Sequence, residues 1–82
     1  MEQEQVKELV LKIARGLVNH TEQVSVEVKE SEATTIFELS VAKVDLGKII
    51  GKHGRTADAI RTIVGGVSGK ARKKRFMLEI IQ

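Results

Sequence analysis

Apolar and polar positions follow three rhythms along this chain, and each change of rhythm marks a boundary. Over residues 3–18, Val6, Leu9, Val10, Ile13 and Leu17 recur at i, i+3, i+4, i+7, while Lys7, Glu8, Lys12 and Arg15 fall mostly opposite. This predicts an amphipathic helix, weakened in its last turn by Gly16 and ended by Asn19-His20-Thr21. His20, near a helix C-terminus, reads as a structural residue favoured by the helix dipole. The period then falls to two. Val24, Val26 and Val28 alternate with Ser25, Glu27 and Lys29, and after the polar stretch 30–33, Thr35, Phe37, Leu39 and Val41 alternate with Ile36, Glu38 and Ser40. Two half-buried strands with so short a connection predict an antiparallel hairpin.

Helical spacing returns at Val44-Asp45-Leu46-Gly47-Lys48-Ile49-Ile50, with Asp45 as the expected N-cap of one or two turns that end at Gly51. After Gly51-Lys52-His53-Gly54, residues 56–64 predict another helix with Ala57, Ile60, Val64 and Val67 on one face, broken or loosened by Gly65-Gly66 and Gly69. A basic run, Lys70-Ala71-Arg72-Lys73-Lys74-Arg75, precedes a last strand in which Phe76, Leu78 and Ile80 alternate. The expected order is α-β-β-α-α-β: an α+β domain of two layers, helices packed on one face of a three-stranded sheet.

At 82 residues the chain is a single domain over 1–82, burying only roughly 60% of the surface its unfolded form exposes. Hydrophobic residues at 41% and charged residues at 30% are those of a globular domain rather than a disordered one. Cysteine is absent, which excludes disulfides and thiolate metal sites and fits a reducing cytoplasm. Apolar runs are too short for a membrane span or a signal-peptide core. A cytoplasmic location is the expectation.

Net charge is +3, but it is unevenly placed. Residues 1–41 hold four Lys or Arg against eight glutamates, whereas residues 42–82 hold ten against Asp45, Asp58 and Glu79. A polyanion is attracted to such a basic half. That half also carries the one segment with phosphate-binding chemistry. Two glycines three apart bracket Lys52 and His53, and Arg55 follows. Glycine reaches backbone angles closed to other residues and lets a ligand approach the main chain. At the start of a helix such a turn points N–H groups outward from the positive end of the dipole.

The stretch from Ile49 to Ile60, an apolar pair, then GxxG, then apolar residues at helical spacing, resembles the signature of the KH domain. The αββααβ order resembles its type II form, and the likeness covers essentially the whole chain. The small size and the Gly51-Lys52-His53-Gly54-Arg55-Thr56-Ala57 run are similar to the small stand-alone bacterial KH proteins of the KhpA kind. The resemblance implies a GxxG loop that clamps about four nucleotides of single-stranded RNA. It also implies an RNA chaperone or post-transcriptional regulator linked to cell-envelope growth and cell shape. The implied partners are a second copy, as a homodimer, or a larger KH protein (KhpB, Jag), as a heterodimer.

Carried onto this sequence, the resemblance makes Gly51 and Gly54 the loop glycines and Lys52 and His53 the variable pair. Lys48 and Lys52 offer ammonium groups to phosphate, Arg55 a bidentate contact, and His53 a ring donor that gains charge beside phosphate. Ile49 and Ile50 divide between packing under the helix pair and flooring an apolar surface for bases, with the division left open. Arg61, and Arg72 and Lys73 from the basic run, flank the path of the strand.

Other readings fit less well. RRM and OB-type surfaces stack bases on aromatic rings, yet this chain has no Trp or Tyr and its Phe37 and Phe76 fall in strand-core register. A P-loop needs G-x-x-x-x-G-K-[ST], and Gly47 to Lys52 is one residue short with His53 in place of the hydroxyl. A helix-hairpin-helix module separates its glycines by one residue rather than two. Single-stranded DNA binding, or a protein-interaction role in which the basic face is incidental, stays open as the alternative. Two distant histidines and no paired acidic cluster leave no acid–base constellation, so no enzyme activity, metal or cofactor is expected.

On the second long helix Ile63, Val64 and Val67 offer more apolar positions than one core stripe needs, so either all three are buried in the monomer or part of this face is a surface for self-association.

Overall fold

The N–H of Glu2 donates to Gln5 Oε1 at 2.8 Å, so a side chain satisfies one terminal donor as the first helix begins. The computed structural model describes residues 1–67 and 74–82. In it, helix α1 spans Gln3–Leu17, strand β1 Ser25–Glu30, strand β2 Thr34–Ser40, helix α2 Leu46–Ile50, helix α3 Arg55–Val67 and strand β3 Arg75–Ile80. Short 3-10 turns at Thr21–Gln23, Lys43–Asp45 and Lys52–Gly54 join them. The α-β-β-α-α-β order expected from the sequence is the observed order.

β1 and β2 form the antiparallel hairpin, with Val26 opposite Leu39 and Val28 opposite Phe37. Ser31 fixes its connection: the Ser31 N–H and hydroxyl both donate to Thr34 O, and the Thr34 N–H donates back to Ser31 Oγ. β3 then adds to β2 in parallel, Phe76 beside Thr35 and Leu78 beside Phe37, in the sheet order β1-β2-β3. A parallel pair needs a crossover, and α2 and α3 supply it. Alternation puts Val26, Phe37, Leu39, Phe76, Leu78 and Ile80 inward, where Phe37 and Phe76 meet edge to face with centroids 5.3 Å apart. The opposite face is open, and there Glu27, Glu38 and Glu79 stand side by side in one cross-strand row.

Two helix expectations need correction. On α1 the buried stripe is Val6, Val10, Leu11 and Ala14, while Leu9 and Ile13 are half-buried and Leu17 is exposed. The apolar face is wider than the surface beneath it, and packing selects the 6/10/14 row as its centre. α3 also runs straight through Gly65 and Gly66 to Val67 rather than breaking there. A glycine inside a helix costs roughly 1 kcal/mol against alanine. Burying Ala57, Ile60 and Val64 fully and Val67 partly outweighs that cost.

Candidate nucleic-acid interface

Helix α2 has five residues, far too few to persist alone. Tertiary anchors hold it at both ends. Near its C-terminus Ile49 is completely buried in the core. This settles the isoleucine pair: Ile49, a candidate contact by sequence, cannot reach a ligand, and the half-buried Ile50 is the one with an open face.

The anchor at the other end is Asp45, which is 1% exposed. Asp45 occupies the N-cap position, but its side chain makes no cap hydrogen bond. Its Oδ2 instead accepts from the backbone N–H of His20 and from His20 Nδ1, both at 2.9 Å, and its Oδ1 accepts from Lys48 Nζ at 3.3 Å. A carboxylate only accepts, so the imidazole proton lies on Nδ1. The His20 backbone N–H is the foremost cause holding the Asp45 carboxyl well below the usual carboxylate range; burial opposes it, and the His20 ring and Lys48 add to it. His20 is structural, as expected, but through Asp45 rather than through the dipole of α1. The same contact ties the Lys48 ammonium, still half-exposed, to the base of α2.

From this footing the chain turns. Gly51 N–H closes α2 onto Gly47 O at 2.9 Å, and Gly54 N–H closes the next turn onto Gly51 O at 3.1 Å. Gly51 adopts φ 77°, ψ 171°, a region open essentially to glycine alone. A Cβ there would also meet Thr56 Cβ at 2.6 Å and Thr56 N at 2.9 Å. Gly54 has φ 74°, but a Cβ on it would meet open space. Between them His53 sits in the left-handed region at φ 58°, ψ 26°, which histidine tolerates better than most residues. The turn thus lifts Lys52 and His53 into solvent immediately before the N-terminus of α3, where exposed Arg55 begins the helix.

Beyond the turn, a groove of ≈ 350 Å³ runs between α3 and β3, lined by Arg61, Gly65, Arg75, Phe76, Met77 and Leu78. β3 is an edge of the sheet among the described residues, which leaves this side open. Arg61 pairs with Asp58 one turn back at 3.2 Å on the exposed surface. The structure therefore brings Ile50, Gly51, Lys52, His53, Gly54 and Arg55 together at one end of the helix pair, with Lys48 at its footing and Arg61 along the groove. Arg72 and Lys73 lie outside the described residues. Gly65 and Met77 were missed by sequence reasoning. The strand alternation turns Met77 away from the core, but nothing local marks Gly65, and only the crossover reveals that β3 faces α3. Among the described residues, no group of three or more His, Cys, Asp or Glu is placed to hold a metal ion, and no helix is long and apolar enough to cross a membrane.

The glycines should respond unequally. Gly54→Ala adds only left-handed strain, a loss of about 1 kcal/mol. Gly51→Ala adds forbidden backbone angles and the Thr56 clash, a loss of about 3 kcal/mol or more. Urea melts of the two variants check the order, and equal losses would refute the geometry. Asp45 contributes to the acid limb of stability. A folded-state value depressed below the ordinary 3.8 stabilises the fold above that pH, and the contribution drains away as pH falls below it. Asp45→Asn should be less stable at neutral pH and show a flatter decline on acidification than the parent chain, read by thermal melts across the acid range.

The family model of the KhpA/KhpB KH domain matches residues 7–80. A protein of Listeria monocytogenes named RNA-binding protein KhpA is 46% identical over 77 residues, covering 94% of this chain and 100% of its own. Proteins of the same name from Caldanaerobacter subterraneus and Chlamydia pneumoniae are 47% and 44% identical, each covered over 97% of its length by 90% and 94% of this chain respectively. No solved structure gives a comparable match. With a family match across nearly the whole chain, and with the type II order and GxxG turn in place, this protein belongs to the KhpA/KhpB family of KH domains.

Proposed function

We propose that this chain binds single-stranded RNA in the cytoplasm as a small KH-type RNA chaperone or regulator, holding about four nucleotides at a time. The observation that carries the reading is the turn itself: Lys52 and His53 raised into solvent between two positive-φ glycines, at the mouth of a helix N-terminus. The names of the relatives, RNA-binding protein KhpA, agree with it.

In this reading one phosphate lies against the turn, met by Lys52, His53 and the first N–H groups of α3, and Arg55 reaches the next. The following nucleotides pass Ile50 and enter the groove between α3 and β3. Bases meet aliphatic side chains and the edge of the sheet there, because both phenylalanines are buried. Few specific contacts follow, so sequence preference is shallow.

A single KH unit offers little affinity, and pairing two raises it through effective concentration. The surface for pairing is the outer side of α3. There Ile63 is 42% exposed, with Ala59 and Gly66 one turn to either side. Val64 and Val67, candidates by sequence, are taken by the core instead. The partner is a second copy or the larger KH protein of the same family.

Changing Lys52 and His53 together to Asp should abolish binding to single-stranded RNA by fluorescence anisotropy while the melting temperature stays near that of the parent. Survival of RNA affinity would refute the site. In the same assay the parent should show a log–log salt slope of about −2 to −3, from the phosphates at Lys52 and Arg55 and those beside flanking lysines or arginines, each contributing about −0.7 on a single strand. For pairing, sedimentation equilibrium should find a dimer that Ile63→Asp dissociates, and a monomer at every concentration, alone and with the larger relative, would rule it out.

A further inference from the structure

We infer that Asp58 is a positioning residue that limits RNA affinity: its carboxylate holds the Arg61 guanidinium against α3, away from the phosphate that Arg61 would otherwise take. This rests on the strand running from the turn into the groove between α3 and β3, as proposed above. Ala57, Ile60 and Val64 form the buried stripe of α3. Asp58 and Arg61 each lie one position after a member of that stripe, on the flank where Arg61 lines the groove. Arg55, Asp58 and Arg61 are three residues apart, which makes them neighbours in one row along the helix surface. A strand leaving the turn along this row meets a cation, then a carboxylate, then a second cation.

Arg61 Nη1 donates to Asp58 Oδ1 at 3.2 Å, and the two side chains are 46% and 74% exposed. One bond from a guanidinium fork that can make two is a restraint that a ligand can open. Residues 42–82 carry two other acidic side chains, and neither competes here: Asp45 is buried beneath α2, and Glu79 stands on the open face of the sheet. Asp58 is therefore the exposed carboxylate of the helix pair.

Helix chemistry accounts for part of this. An acid in the first turn suits the dipole, and a pair at i, i+3 adds a little to helix stability. Both effects would be lost with the carboxylate, and neither predicts a change in binding. The position does. Row neighbours have Cβ atoms about 5–6 Å apart, inside the screening length of about 8 Å in physiological salt. The Asp58 charge thus repels the phosphates that Arg55 and Arg61 attract, and it occupies the guanidinium at the same time. Such a restraint suits a chaperone, which has to release RNA as well as hold it.

The test measures binding of oligo(U) RNA by fluorescence anisotropy, with a salt titration and a thermal melt for each variant. Asp58→Asn should melt no higher than the parent yet bind about threefold more tightly, the scale of one exposed ion pair. Its log–log salt slope should steepen by about 0.7, one further phosphate on a single strand. Arg61→Gln should cost little in the parent, and the Asp58→Asn/Arg61→Gln double variant should lose the gain. Glu8→Gln, which removes an exposed carboxylate on α1, should bind as the parent does. Parental or weaker binding by Asp58→Asn, a gain that persists without Arg61, or an equal gain in Glu8→Gln would each overturn the inference. Should any of these occur while Lys52→Asp/His53→Asp still abolishes binding, the proposed site stands without it. If that variant binds as the parent does, the site itself is wrong and the inference falls with it.

Discussion

This chain leaves one helix and starts another within four residues through three positive-φ backbone steps at Gly51, His53 and Gly54, and everything at this interface depends on that turn. Gly51 carries the tightest constraint. Its φ and ψ exclude other residues, and Thr56 occupies the space where a Cβ would go. Thr56 belongs to the first turn of α3, so the same contact that demands glycine also sets how closely α3 approaches the end of α2. The two helices are thus placed by what one residue lacks. Lys52 and His53 need no packing of their own to stand in solvent, because the turn leaves them nowhere else to point.

A turn of this kind is useful only on a firm base, and α2 is too short to provide one by its own hydrogen bonds. Ile49 pins it to the core from below. Asp45 pins it from the side, through His20, to the segment that follows α1. These anchors come from residues far apart in sequence, so the loop inherits rigidity from the whole fold. The burial of Asp45 carries a desolvation cost, which its hydrogen bonds to His20 and Lys48 offset. Removing either partner would leave a charge inside with less to balance it.

Much of this was legible in the sequence because the signals were local. Alternation at Val24-Val26-Val28, Phe37-Leu39 and Phe76-Leu78-Ile80 marks strands without any knowledge of neighbours, and GxxG marks the turn by chemistry that only glycine provides. What escaped was relational. Asp45 looks like an N-cap from its position, and nothing local says that a histidine 25 residues earlier will claim its carboxylate. The two isoleucines are equivalent in the sequence and differ only once a core exists beneath them. Gly65 and Gly66 read as a helix break by propensity, and tertiary packing of Ile60 and Val64 overrides it. The α3–β3 groove could not be read at all before the parallel crossover placed its two walls together.

The row of glutamates on the open face of the sheet bears on more than that face. Glu27, Glu38 and Glu79 set three carboxylates on the face away from the helices, one of them paired with Lys29 at 3.5 Å, while the turn carries only cations. The protein is about 19 Å across its thinnest dimension, whereas charges in physiological salt are screened over about 8 Å. Through the surrounding salt solution, exposed charges that far apart are largely screened from one another. A polyanion near the turn therefore feels mainly the local cations rather than the net charge. In dilute salt, where screening reaches about 30 Å, that separation fails and the carboxylates of the sheet begin to oppose the turn.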